Sequence, residues 1–267
     1  MQTLGEDHGT ASWLRQHPLS AEDQVAMAAM RAIVETNKGK LQGIAARVPF
    51  DAIMEHVSAP VGVVYEADRI GGVSGWWCRP ETARQGQAVV HIHGGWFNWG
   101  SAQAFRHLAG HIAVRAGVAA FLPDYRLAPE HPFPAAAEDV RACYFGLIER
   151  GFSKIAITGD SVGGNLALEL LVYLAKNRAS GSGALVAGVA LSPVTDLALL
   201  GDSWSTRAGA DPYFTLPQAA ELVRSYLDGH SPEDPFASPL YADLKETLQL
   251  IGEFLIDRFA NVGDKGV

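Results

Sequence analysis

The strongest constraint on the fold is an alternation of short apolar runs with longer helical patterns. Four runs rich in β-branched residues read AVVHIH, VAAFLPD, KIAITGD and LVAGVALSP, and each is nearly continuous in hydrophobicity. Helical patterns separate them at 102–115, 135–150 and 162–176. This order is typical of buried parallel strands connected by crossover helices. We therefore predict a single α/β domain over residues 1–267, opened by a hairpin made from VGVVYEA and GVSGWWCRP.

Two regions lie outside this alternation and are predicted to be cap elements over a pocket. The first spans residues 1–55 and contains the helical pattern SAEDQVAMAAMRAIVE, for which Ser20 fits the N-cap and Asp23 follows three residues later. The second spans about 203–230, where the connection after a strand is longer than a simple crossover requires.

Composition narrows the class of function. The net charge of −8 argues against nucleic acid as a partner, because phosphate backbones require a basic surface. No stretch approaches the ~20 uncharged apolar residues of a membrane span, and MQTLGEDHGT lacks the features of a signal peptide. We therefore expect a cytoplasmic protein without a membrane partner. Cys78 and Cys143 lack metal-ligand spacing and are expected to be buried thiols, and neither a metal nor an organic cofactor is expected.

A serine between two glycines carries the first chemical signal. Gly159-Asp160-Ser161-Val162-Gly163 follows a predicted strand and precedes a predicted helix, which is the context of a nucleophile elbow. In such a turn the flanking glycines let the strand and the helix pack closely around the serine. The serine hydroxyl is then exposed at the carboxyl edge of the sheet, beside a helix N-terminus that favours developing negative charge.

The loop HIHGGWFNWGS carries the second signal, because it places glycines directly after a strand. Ester hydrolysis passes through a tetrahedral oxyanion, and a glycine-rich loop can direct backbone N–H groups at it. Gly94, Gly95 and Val162 are predicted to supply these donors. The two motifs reinforce each other, since each supplies half of one acyl-transfer site.

With these motifs in order, the chain resembles the hormone-sensitive-lipase-like branch of the α/β-hydrolases, which includes bacterial carboxylesterases and lactone hydrolases. HGGWFNWGS is similar to the family's H-G-G-G loop, and DYRLAPEHPFPAA, GDSVGGNLAL, LSPVTDL, DPYF and ASPLYADL follow collinearly, over roughly 60–244. The resemblance implies an α/β-hydrolase fold with Ser161 as the acylated nucleophile. Trp96 stands where most members have a third glycine, and Val162 replaces the usual alanine.

The resemblance assigns no triad acid or base to this chain. Family members carry both after the segment similar to SPLYADL, but here that segment runs directly into KETLQLIGEFLIDRF. An amphipathic stripe in this run, formed by Leu248, Ile251, Leu255 and Phe259, resembles the family's final helix. About two β–α units, including the last strands of the sheet, are therefore expected to be missing. A Cα–Cα step between Asp243 and Leu248 much longer than ~3.8 Å per residue would reveal an omitted segment.

The histidines and Asp160 receive other predicted roles. His230, the only histidine after Ser161, is expected in an exposed loop. His91 and His93 share one face of a strand, where fixing the glycine loop is a simpler role for His93 than metal binding. His131 is expected to be structural, and Asp160 to hydrogen-bond the loop rather than act as the triad acid.

Two functions of different classes stay open. One is a serine carboxylic-ester hydrolase for small apolar esters or lactones, in which Trp96, Phe97, Trp99 and Phe214 are candidates to line the pocket, although large aromatic residues also form ordinary core. The other is a catalytically silent homologue that binds a small ligand, or an inactive truncated variant. The oligomeric state also stays open, with a homodimer as one alternative, because dimers in the family often involve the C-terminal region from which segments are expected to be missing here.

Overall fold

A six-stranded sheet runs through the computed structural model, which describes residues 18–35, 38–40, 42–177 and 184–243. The strands are β1 (Val63–Ile70), β2 (Val73–Pro80), β3 (Gln87–Ile92), β4 (Ala119–Pro123), β5 (Lys154–Asp160) and β6 (Leu185–Leu191). The described helices are α1 (Ala21–Glu35), α2 (Arg47–Met54), α3 (Ala102–Ala116), α4 (Ala135–Glu149), α5 (Val162–Asn177), α6 (Ser203–Thr206) and α7 (Leu216–Leu227). Short 3₁₀ turns occupy Ile44–Ala46 and Pro239–Tyr241. All predicted strands and the three predicted crossover helices are present.

The strand order is β1-β2-β4-β3-β5-β6, and the strand directions confirm a mostly parallel sheet. β2 is antiparallel to both β1 and β4, whereas β4, β3, β5 and β6 are parallel to one another. β3 and β5 are direct neighbours, with Ile92 opposite Gly159. Because parallel strands end at the same edge, the glycine loop after β3 and the serine turn after β5 are brought together.

The predicted opening hairpin is confirmed, with Ile70 paired to Val73 across a two-residue turn. The turn residues Gly71 and Gly72 have φ values of 58° and 85°, a conformation that glycine adopts without a Cβ penalty. A Cβ on Gly71 would also overlap the carbonyl of Ala142 in α4. The tight turn therefore lets the hairpin pack against α4.

Both faces of the central strands are buried, which explains their continuous hydrophobicity. On β3, Val89 packs with Phe105 of α3 in one cluster, whereas Val90 belongs to the larger cluster on the other face. β6 departs from the prediction of a buried strand, since Val189 and Leu191 are 47% and 46% exposed. Among the described strands β6 pairs only with β5, so it lies at the edge of the sheet.

The N-terminal helix begins as predicted. The Asp23 N–H donates to Ser20 Oγ at 3.0 Å, and the Ser20 N–H donates back to Asp23 Oδ2 at 3.3 Å, which is the reciprocal arrangement of a capping box. This helix contacts the second predicted cap region, because Arg31 donates to the Ala210 carbonyl at 2.5 Å. The assignment of 1–55 and 203–230 as cap elements stays a prediction.

Two further sequence predictions concern the cysteines and the presence of membrane-spanning helices. Cys78 and Cys143 are both buried free thiols, as predicted, and burial raises the pKa of Cys78 to about 12. Within the described residues, no helix combines the length and apolar character that crossing a bilayer requires.

Candidate active site

Ser161 occupies a sharp turn between β5 and α5. Its φ of 55° is left-handed, which costs an L-residue roughly 1–2 kcal/mol and persists only where the surroundings enforce it. Its N–H donates to the Leu191 carbonyl at 2.9 Å, and its carbonyl accepts from Val194 and Asn165, each at 3.1 Å. The backbone of Ser161 is thus held on both sides by the end of β6, the loop that follows it and the first turn of α5, which together enforce the left-handed conformation.

The two glycines flanking the serine turn are required by steric contact. A Cβ on Gly159 would overlap the carbonyl of Gly163, and a Cβ on Gly163 would overlap the carbonyl of Ile92 and lie 2.7 Å from that of His93. No side chain larger than hydrogen fits at either position. The close packing of strand and helix expected from the motif is therefore present.

His93 fixes the first peptide of the glycine loop. Its Nδ1–H donates to the Gly94 carbonyl at 2.8 Å, and its ring stacks on Tyr125 at a centroid distance of 4.3 Å. The Tyr125 hydroxyl donates in turn to the His93 carbonyl at 2.8 Å. Burial lowers the pKa of His93 to about 4, so the imidazole is neutral near pH 7. Since C=O and N–H point in opposite directions in a trans peptide, this bond directs the Gly95 N–H away from His93.

The next peptide is held by a turn. The Gly95 carbonyl accepts from the backbone N–H groups of Asn98 at 3.1 Å and Trp99 at 2.8 Å, which directs the Trp96 N–H to the opposite side. Within the described residues, no protein acceptor takes the N–H of Gly95, Trp96 or Val162. Two of these unpaired donors, the N–H groups of Gly95 and Trp96, belong to residues that line a cleft.

The structure corrects the prediction that the Gly94 N–H is an oxyanion donor. Its N–H donates to Asp160 Oδ1 at 3.1 Å, so this group is already occupied and is not a free oxyanion donor. A Cβ on Gly94 would overlap the Asp160 carboxylate, so the glycine is needed for this close approach. Within the described part of this loop, the unpaired N–H groups begin one residue later, at Gly95. Asp160 does hydrogen-bond the loop, as expected.

Asp160 is a perturbed carboxyl group beside Ser161. Burial raises its pKa from 3.8 to about 6, while the Gly94 N–H partly opposes that shift. His91 Nε2 lies 3.7 Å from Asp160 Oδ1, and His91 Nδ1 lies 2.8 Å from Thr158 Oγ1. Burial lowers the pKa of His91 to about 3, so His91 is neutral near pH 7 and forms no ion pair with Asp160.

A cleft of about 710 Å³ opens above Ser161. Asp160, Gly95 and Trp96 line it from the sheet edge. The facing walls come from α1, α2 and the connection between β6 and α7, and include Met30, Phe50, Met54, Leu199, Trp204, Tyr213 and Phe214. Apart from Phe214, the sequence analysis named none of these residues as part of a pocket, because segments far apart in the chain bring them together. A second cleft of about 740 Å³ is lined by residues of the 203–217 segment and does not include Ser161.

The four predicted pocket aromatics have different positions. Trp96 and Phe214 line the cleft and contact each other edge-to-face at 5.4 Å. Trp99 lines a smaller side pocket of about 90 Å³ that shares Met30 and other walls with the cleft. Phe97 corrects the prediction, because it is fully buried and stacks on Tyr226 at 3.7 Å instead of lining either space.

Comparison with known proteins identifies the architecture. A family model for the alpha/beta hydrolase fold matches residues 89–257, more than half of the chain. The chain belongs to this family. Among solved structures, an esterase of the bacterial hormone-sensitive lipase family is 30% identical, with a TM-score of 0.75 over 92% of this chain and 86% of that one. EstE5 is 32% identical, with a TM-score of 0.75 over 82% of this chain and 75% of its own. These likenesses confirm an α/β-hydrolase of the hormone-sensitive-lipase-like branch.

The alignments with curated relatives of this α/β-hydrolase cover only part of each relative's length. An acetyl-hydrolase from Streptomyces hygroscopicus is 36% identical over 204 residues, which are 74% of this chain and 66% of the relative. An esterase from Acinetobacter venetianus is 34% identical over 197 residues, which are 71% of this chain and 64% of the relative. The matched part of this chain thus covers slightly less than two thirds of the length of each of these two relatives.

Histidines are absent from the described residues that line the cleft of this α/β-hydrolase. His230 is exposed, as predicted, and packs its ring edge-to-face against Phe133 at 5.2 Å. His131, just before Phe133 in the chain, is also exposed. His91 is buried within β3, and His93 is buried directly after that strand. The predicted stripe Leu248, Ile251, Leu255 and Phe259, and the step from Asp243 to Leu248, lie outside the described residues.

Proposed function

We propose that this α/β-hydrolase is a serine carboxylic-ester hydrolase that acts on small apolar esters or lactones through an acyl-enzyme on Ser161. One observation carries the proposal: Ser161, held in a left-handed turn, lines a cleft together with a loop whose Gly95 and Trp96 N–H groups are unused. The names of its relatives, acetyl-hydrolase and esterase, support ester hydrolysis as the reaction.

The proposed chemistry is acyl transfer in two steps. Ser161 Oγ bonds to the ester carbonyl carbon, and the carbonyl electron pair moves onto oxygen to give a tetrahedral oxyanion. The N–H groups of Gly95, Trp96 and Val162 stabilise that charge, and the N-terminus of α5 favours it further. Collapse breaks the bond to the alcohol, which leaves with the serine proton. Water then adds to the acyl-enzyme in the same way and releases the acid and free Ser161.

The shape of the cleft supports a small apolar substrate. Its volume of about 710 Å³ falls among small-molecule sites, and most side chains on its facing walls are aromatic or aliphatic. The side pocket of about 90 Å³ is smaller than the ~150 Å³ cavity that accepts benzene, so it suits a short alkyl group. We propose that the acyl or alcohol part of the ester enters this pocket.

A second candidate function is favoured by the absence of histidine among the described cleft-lining residues. A serine hydroxyl is a weak nucleophile without a base, so the same cleft could serve a catalytically silent protein that binds a small ester. The two candidates share the cleft and differ in whether Ser161 becomes acylated.

The test is reaction with a p-nitrophenyl alkylphosphonate, which traps an activated serine without requiring turnover. We expect one equivalent of p-nitrophenolate, an adduct on the Ser161 peptide by mass spectrometry, and hydrolysis of p-nitrophenyl butyrate. Ser161→Ala is the matched control and should give none of these three results. A folded wild-type protein that binds the butyrate ester by calorimetry but leaves Ser161 unlabelled would establish the binding protein instead of the hydrolase.

A further inference from the structure

The loop that carries the free N–H groups contains two consecutive left-handed residues that are not glycine. Trp96 has φ of 55° and Phe97 has φ of 59°. Side chains with a Cβ avoid this conformation, so two in sequence persist only where neighbouring groups hold them. The groups that do so determine where the Trp96 N–H points.

Asn98 holds both peptide planes next to Trp96. Its backbone N–H donates to the Gly95 carbonyl at 3.1 Å, and its side-chain Nδ2 donates to the Trp96 carbonyl at 2.6 Å. The first bond fixes the peptide that contains the Trp96 N–H, and the second fixes the peptide that follows. With both planes held, the backbone rotation of Trp96 is restricted.

The Asn98 side chain is itself held by α7. Its Nδ2 also donates to the Leu222 carbonyl at 3.1 Å, and its Oδ1 accepts from the Ser225 hydroxyl at 2.8 Å. Asn98 is only 3% exposed, and these contacts use both amide N–H bonds and the amide oxygen. A buried amide with every group paired has a single favourable orientation.

A second contact between the loop and α7 lies beside the first. The rings of Phe97 and Tyr226 are nearly parallel, 5° apart, with centroids separated by 3.7 Å. Tyr226 is held from the other side, because its carbonyl accepts from the Phe133 N–H at 2.7 Å. The loop is thus attached to α7 by a ring stack at one residue and by hydrogen bonds at the next.

We propose that Asn98 is a positioning residue that fixes the Trp96 N–H for transition-state stabilisation, with α7 as the support through which it acts. This proposal rests on the proposed function and assigns α7 a role in supporting the loop beside the cleft. It predicts that loss of the Asn98 side chain slows the chemical step without weakening binding of the ground state, because Asn98 does not line the cleft.

The test measures phosphonylation of Ser161 at several inhibitor concentrations, which separates the maximal rate constant from the half-saturating concentration. Asn98→Asp keeps the acceptor for Ser225 but lacks the donor to Trp96, and Asn98→Ala removes both. Loss of one oxyanion donor typically costs 10²–10³-fold in rate, so misdirecting the Trp96 N–H should lower the maximal rate constant at least about tenfold. The half-saturating concentration should stay within about twofold.

Two further variants control the interpretation. Ser225→Ala removes one of the two hydrogen bonds between Asn98 and α7 and leaves the bond to the Leu222 carbonyl, so it should give a smaller decrease of the same kind. Asn177→Ala removes an exposed asparagine that donates to the Tyr173 carbonyl at 2.8 Å near the end of α5, and it should react as the wild type.

The outcomes separate this inference from the proposed function. If the wild type is labelled and Asn98→Asp reacts at the wild-type maximal rate, or differs only in melting temperature, the positioning role is wrong. If Asn98→Ala does not fold, Asn98→Asp and Ser225→Ala decide the question alone. A folded wild type that is never labelled overturns the proposed function, and the positioning role with it.

Discussion

Replacing Asp160 by asparagine should change how stability depends on pH. The carboxyl group has its pKa raised by burial from 3.8 to about 6, so the folded state binds its proton more tightly than the unfolded state. Its favourable contribution is therefore fully present below pH 3.8 and is lost as the pH rises through about 6. An asparagine at this position would not titrate, yet its side-chain oxygen could still accept the Gly94 N–H.

The magnitude follows from the size of the shift. A change from 3.8 to about 6 corresponds to about 3 kcal/mol, at about 1.4 kcal/mol for each pKa unit. The side chain is 28% exposed, so water screens part of this energy and about 3 kcal/mol is an upper limit. The unfolding free energy of Asp160→Asn relative to wild type should thus rise by about 1–3 kcal/mol between pH 4 and pH 7.5.

Urea unfolding of both proteins at intervals of half a pH unit measures this difference. Asp68→Asn is the control, because hydrogen bonding to Arg150 lowers the pKa of Asp68 to about 2. The contribution of Asp68 to stability is lost only as the pH falls from 3.8 through about 2. The difference in unfolding free energy between Asp68→Asn and wild type should therefore be flat between pH 5 and pH 7.5. A flat difference for Asp160→Asn as well would refute the reasoning.

Two further substitutions test the sterics of the site. Gly163→Ala should prevent stable folding, because its Cβ would overlap the Ile92 carbonyl. The control Gly209→Ala adds a Cβ in open space and should shift the unfolding free energy by no more than about 0.5 kcal/mol. Equal melting temperatures for the two variants would contradict this prediction. Trp96→Gly should relieve roughly 1–2 kcal/mol of left-handed strain but lose about 3–5 kcal/mol of buried indole, and a net stabilisation in urea would show that the packing estimate is wrong.

Sequence prediction succeeded for the elements that have a regular hydrophobic pattern or a fixed motif. Continuous apolar runs located β3, β4 and β5, because both faces of these strands are covered. The two glycines around Ser161 located the turn, because the close approach of α5 to β5 and to the end of β3 excludes any side chain there. β6 was expected to be buried, and its exposure follows from its position at the edge of the sheet.

The predictions failed where backbone conformation, not residue type, decides the outcome. Gly94 and Gly95 look equivalent in sequence, but the Asp160 carboxylate takes the N–H of Gly94 alone. Phe97 looks like a pocket residue beside Trp96, but in the left-handed turn it packs into the core against Tyr226. Periodicity carries no information in such a loop. The sequence did not indicate that Asn98 is hydrogen-bonded to α7, because its partners Leu222 and Ser225 lie more than a hundred residues away in the chain.

The replacement of the family's third glycine by Trp96 is consistent with a working oxyanion loop. The proposed donor is a backbone N–H, whose direction depends on φ and ψ and not on the side chain. A tryptophan can occupy φ of 55° if the loop is held, and each carbonyl from Gly94 to Asn98 accepts a hydrogen bond. The bulky ring then becomes part of the cleft wall against Phe214, so the substitution narrows the space for substrate while leaving the donor in place.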